Sequence, residues 1–111
     1  MKTLSLLITL FVYSLPVAHA DPVACVTAAN GLGWGMSQDT MVNLCVRASS
    51  NAPVDCVKKA NSLGWGMTQE KMVALCAQAE STAPVDCMVR ANGLGWGMSQ
   101  ENMAKLCRKS R

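Results

Sequence analysis

The string Leu-Gly-Trp-Gly-Met occurs three times in this 111-residue chain, at a constant step of 31 residues that sets Trp34, Trp65 and Trp96. A fixed period of this size marks tandem supersecondary units, none of which can bury its apolar face alone, so that they must stack on one another. The cysteines keep the same period: Cys25 and Cys45, Cys56 and Cys76, Cys87 and Cys107. The expected organisation is repeat 1 over residues 21–52, repeat 2 over 53–83 and repeat 3 over 84–111, the last with a basic C-terminal end.

Residues 1–20 read as an export signal. Lys2 gives the positive start, residues 4–17 are mostly apolar, and Ala18-His19-Ala20 is a small-x-small cleavage motif. The expectation is cleavage after Ala20 and a secreted or periplasmic protein starting at Asp21. The apolar stretch is short for a spanning helix, and no later segment approaches the roughly 20 apolar residues such a helix needs. Cleavage would remove His19, the single histidine, together with Lys2. Nine of the ten basic residues would then face seven acidic ones, a net charge of +2. The excess sits in repeat 3, where Arg90, Lys105, Arg108, Lys109 and Arg111 outnumber Asp86 and Glu101. An exported chain with so small a basic end reads as solvated at that end, and nucleic acid is not an expected partner.

A chain of this size buries a modest core, and small exported domains compensate with disulfides. Six cysteines admit fifteen connectivities. Pairing within repeats (Cys25–Cys45, Cys56–Cys76, Cys87–Cys107) is favoured because each unit then carries its own staple. Each staple closes a loop of about 20 residues, worth on the order of 3 kcal/mol in the chain-entropy model. The competing scheme joins Cys45 to Cys56 and Cys76 to Cys87, leaving Cys25 and Cys107 to meet across the whole chain.

Within a unit, Pro53 suits the first turn of a helix, and Asp55 and Asp86 complement its positive end. Asn61, with its counterparts Asn30 and Asn92, reads as the stop of this first helix, in a left-handed conformation. Ser37, Thr68 and Ser99 are N-cap residues for a second helix. Met36, Met67 and Met98 precede those caps and Met41, Met72 and Met103 follow four residues after them, a hydrophobic staple written three times. The fold expected is all-α: three tandem disulfide-stapled helical hairpins, stacked as a short solenoid or closed into a compact six-helix bundle.

The phrase Ala52-Pro53-Val54-Asp55-Cys56, a corner, and a second helix ending in Leu75-Cys76 resembles the tandem two-cysteine helical-hairpin repeats of uncharacterised exported bacterial proteins. The resemblance covers most of the chain beyond residue 20. It implies a disulfide-pinned hairpin array and brings no activity with it.

Catalytic chemistry finds little footing. Without His19 no base remains for a cysteine nucleophile, and no Cys-x-x-Cys or histidine set suits zinc. Gly64-Trp65-Gly66 lacks the lysine and the strand of a phosphate-binding loop. No enzyme, cofactor or metal is expected. The six methionines read first as core filler, with a copper or partner-helix groove ranked below.

Trp34, Trp65 and Trp96, the only aromatic residues after residue 20, have two readings. They can serve the core, as the aromatics of a small protein commonly do. They can instead form a row of exposed indoles with Asn30, Asn61 and Asn92, and with Gln38, Gln69 and Gln100 nearby. Flat rings beside amides suit sugars or peptides, and repetition adds avidity. The tryptophans and asparagines are the candidate contact residues. The function expected is a non-catalytic binding or scaffold module whose partner is a protein or glycan of the cell envelope or extracellular space. The alternative is a secreted membrane-active effector that uses tryptophan anchors and the basic end on a membrane surface. A redox carrier is a third class and requires a readily reduced bridge.

Overall fold

The computed structural model describes residues 21–108. Residues 1–20, the expected export signal, and Lys109, Ser110 and Arg111 lie outside the described residues. Six helices follow in order: α1 Pro22–Asn30, α2 Gln38–Cys45, α3 Ala52–Ser62, α4 Gln69–Cys76, α5 Ala83–Asn92 and α6 Gln100–Cys107. None exceeds 11 residues, a length at which an isolated helix is marginal in water, so tertiary contacts must hold each one.

The helix starts follow from local chemistry. Asp21 caps α1 by accepting from the Ala24 amide, with Pro22 in the first turn. Ser37, Thr68 and Ser99 accept from the amides of Thr40, Lys71 and Asn102, each at 3.1 Å. At α3 and α5 the residue before the helix makes no side-chain cap. There Ser50 and Ser81 accept instead from the amides of Ala52 and Ala83. Of each methionine staple, Met41, Met72 and Met103 are buried, while Met36, Met67 and Met98 pack partly buried against the core.

The helix stops differ from expectation. Asn30 and Asn92 end their helices, Asn61 stands one residue before the end of α3, and all three keep helical backbone. The chain then tightens through Leu32 N–H to Ala29 O and Gly33 N–H to Asn30 O, bonds repeated at Leu63–Gly64 and Leu94–Gly95. The left-handed step is taken by the glycines on both sides of each tryptophan, at φ of 70° to 74°. Glycine occupies this region without a Cβ penalty, so it outcompetes asparagine for the turn. Between repeats the chain turns through Arg47 (φ 60°) and Gln78 (φ 63°), the non-glycine residues with positive φ among those described.

Each hairpin is closed by its own bridge: Cys25–Cys45, Cys56–Cys76 and Cys87–Cys107, all with Cα atoms 5.6 Å apart and 20 residues apart in sequence. The first two bridges are fully buried and the third partly exposed. Helices α1, α3 and α5 pack side by side in one layer, and α2, α4 and α6 in the other. Helices of repeat 1 touch repeat 2 and helices of repeat 2 touch repeat 3, while repeats 1 and 3 do not meet. The six-helix bundle is thus a linear stack of hairpins, with the Lys59–Asp86 ion pair (2.6 Å) tying α3 to α5 on the surface.

Burial at equivalent positions separates the two faces of a repeat. Val54 and Val85 are buried, whereas Val23, in the first described repeat, is 74% exposed. Conversely Leu44 and Leu75 are fully buried, whereas Leu106, in the last described repeat, is 64% exposed. Leu75→Ala should therefore cost about 2–5 kcal/mol, as for a buried leucine. Leu106→Ala, at the same position of its repeat, should change stability by about 0.5 kcal/mol or less. Urea unfolding of the oxidised protein measures both, and equal effects would contradict this stacking.

Candidate functional site

Each corner is built identically yet ends in a different environment. The paired positive-φ glycines reverse the chain on either side of the indole, and an added Cβ at Gly33, Gly35, Gly64, Gly66, Gly95 or Gly97 would meet nothing within 4 Å. These glycines are therefore required by backbone conformation and not by crowding.

Trp34 and Trp65 are partly buried and pack against the core. Their backbone carbonyls are also held. Gln69 Nε2 donates to the Trp34 oxygen at 3.0 Å, and Gln100 Nε2 donates to the Trp65 oxygen at 2.9 Å. The first-turn glutamine of each second helix thus reaches back 35 residues to fasten the corner of the preceding repeat. Gln38, in repeat 1, has no corner before it and is exposed.

Trp96 stands apart. It is 75% exposed, and no glutamine meets its carbonyl among the described residues. Leu94 and Leu106 are exposed with it, although Leu32 and Leu63 at the Leu94 position are partly buried. The last repeat thus exposes Leu94 and Trp96 at its corner and Leu106 near the other end of α6. Lys105 and Arg108, both exposed, flank Leu106 in the chain.

The three indoles consequently do not form a row of equal exposure. Trp34 and Trp65 are partly buried and Trp96 is exposed. Asn30, Asn61 and Asn92 are all exposed at their helix ends, four residues before the tryptophans. The glutamines were the functional feature least visible in sequence. Their recurrence at all three units, beside caps and acids that vary between Ser and Thr or Asp and Glu, was the available signal.

Among the described residues no three His, Cys, Asp or Glu side chains could hold a metal ion together, and every described cysteine is bridged. No helix of the described residues is long and apolar enough to cross a membrane. Comparison with protein-family models, curated proteins and solved structures finds no match. The three disulfides point to an oxidising environment, extracellular or periplasmic.

Two outcomes follow from this geometry. Trp96→Phe should remove most of the red-edge, acrylamide-quenchable emission of the folded protein, whereas Trp34→Phe should leave it. Gln69→Glu exchanges the donor for an acceptor against the Trp34 carbonyl and should cost about 1–2 kcal/mol in thermal unfolding. Gln38→Glu should cost nothing measurable.

Proposed function

We propose that the protein is a non-catalytic binding or scaffold module, exported by cleavage after Ala20, which engages a partner through the open end of its last repeat. The observation that carries this reading is the exposed set Leu94, Trp96 and Leu106. Leu94 and Trp96 at the third corner and Leu106 near the end of α6 are exposed at positions that are buried or partly buried in the other two repeats. Exposed large apolar side chains with an indole among them have the composition of an interaction surface. A tryptophan there offers much contact area with few rotatable bonds, the usual character of an anchor residue. The alternative of three tryptophans acting as parallel contact sites has less support, since Trp34 and Trp65 are engaged with the neighbouring repeat.

One observation favours a second reading. Lys105 and Arg108 beside Leu106 place cations next to apolar side chains, an arrangement suited to an anionic membrane surface. Leakage of vesicles rich in phosphatidylglycerol, abolished by Trp96→Ala, would shift the function to that class.

The experiment for the main reading places a photo-crosslinking amino acid at Leu94 or at Lys58, on the side of the stack, in the producing cell. Adducts with an envelope or extracellular macromolecule are expected from position 94 and not from position 58. Equal yields from both positions, or none from position 94, would overturn the reading.

A further inference from the structure

The geometry points to a second copy of this chain as the partner, docking head to tail, so that the open end of repeat 3 receives repeat 1 of the next molecule. This rests on the reading that the Leu94–Trp96–Leu106 end is the contact surface, and it supplies what that end contacts.

The contact is one the chain already makes twice within itself. In repeat 1, which packs on repeat 2, Leu44 is fully buried and Leu32 and Trp34 are partly buried. In repeat 2, which packs on repeat 3, Leu75 is fully buried and Leu63 and Trp65 are partly buried. Repeat 3 carries the same three residues as Leu94, Trp96 and Leu106, all exposed. At the opposite end, repeat 1 carries the receiving face. Val23 and Val42 are open there at 74% and 54%, whereas their counterparts Val54 and Val73 are buried. Val46 is exposed beside them, although its counterpart Ala77 is buried. Pro22, Val23, Val26, Val42, Cys45 and Val46 line an apolar groove at this end. The equivalent face of repeat 2 is covered by repeat 1.

The polar groups match as well. Inside the stack, each inter-repeat contact joins a glutamine Nε2 to a tryptophan carbonyl. The exposed Gln38 amide and the Trp96 carbonyl are the corresponding donor and acceptor, one at each end. The Lys59–Asp86 ion pair would not be reproduced, since Arg90 would face Ala24. The contact between repeats 1 and 2 already lacks it, with Ala28 at the Lys59 position, so the interface does not depend on the pair.

Stacked-repeat proteins usually close their ends with polar faces. Here the exposed positions on the sides have diverged freely, as in Thr27, Lys58 and Val89 or Asn43, Ala74 and Lys105. Leu94, Trp96 and Leu106 of repeat 3 are nonetheless identical to their counterparts in repeats 1 and 2, although they are exposed. A head-to-tail contact is heterologous, so it propagates into a ring if the rotation closes and into a filament if it does not.

The test uses the exported protein, processed from its own leader, in sedimentation equilibrium over a wide concentration range. Two variants each block one end: Val42→Glu the receiving face and Trp96→Glu the presenting face. Both sites are exposed, and thermal unfolding checks that each variant folds. The wild type is expected to gain mass with concentration, and each variant alone to stay monomeric. An equimolar mixture should then reach twice the monomer mass and grow no further, because each variant retains the end that the other has lost. A wild type that stays monomeric throughout overturns the proposal. So does association of Val42→Glu alone, which would mean two presenting ends paired with each other, or of Trp96→Glu alone, which would mean two receiving ends paired. The two readings fail separately. A monomer that still crosslinks from position 94 to another macromolecule removes the self-assembly and keeps the binding end, whereas loss of crosslinking removes both.

Discussion

Two helices of eight to eleven residues are marginal on their own in water, and the bridge between them is what makes each hairpin a unit. The bridge joins an early residue of the first helix to the last residue of the second, pinning the end of the hairpin away from the tryptophan corner. The corner is then fixed by conformation, through glycines on both sides of the indole. With both ends determined, the hairpin offers two defined faces, and stacking becomes a matter of matching them. Removing a bridge would release one end of the pair and with it the flatness of both faces.

The second constraint acts between units. Apolar packing alone leaves freedom to slide, because valines and leucines in adjacent layers tolerate small shifts. A glutamine that must reach one carbonyl 35 residues earlier does not. The Gln69 and Gln100 bonds therefore set the register of the stack, while burial of Val54, Leu44, Val85 and Leu75 supplies most of its stabilisation. The surface ion pair between Lys59 and Asp86 adds little beside these, being solvated on both sides.

What could be read from the chain was whatever depends on local order. The period, the caps at Ser37, Thr68 and Ser99, the methionine staples and the intra-repeat bridges are set within one hairpin, and each follows from residue type and spacing. Asn61 was a misleading stop because asparagine and glycine compete for left-handed backbone, and the two glycines that follow win. The glutamine bonds were hidden because they join different repeats. The unequal tryptophans were hidden for a stronger reason: three identical pentapeptides contain no information about which of them has a neighbour. Exposure at Trp96 is a property of position in the stack, and only the assembled structure displays it.

That distinction bears on how stability is distributed. In a stack with nearest-neighbour contacts, each repeat contributes its own stability plus one term per shared face. Repeat 2 shares both of its faces and the terminal repeats share one each, so loosening begins at the ends. The third repeat is the weaker end: its bridge is partly exposed, and its largest apolar groups, Trp96 and Leu106, gain nothing from the core. A chain selected only for monomer stability would replace those two residues with polar ones at almost no cost to its fold. Trp96 and Leu106 are the exposed counterparts of residues that are partly or fully buried in the two preceding repeats, so the same residue type stabilises the fold in repeats 1 and 2 and contributes little to it in repeat 3.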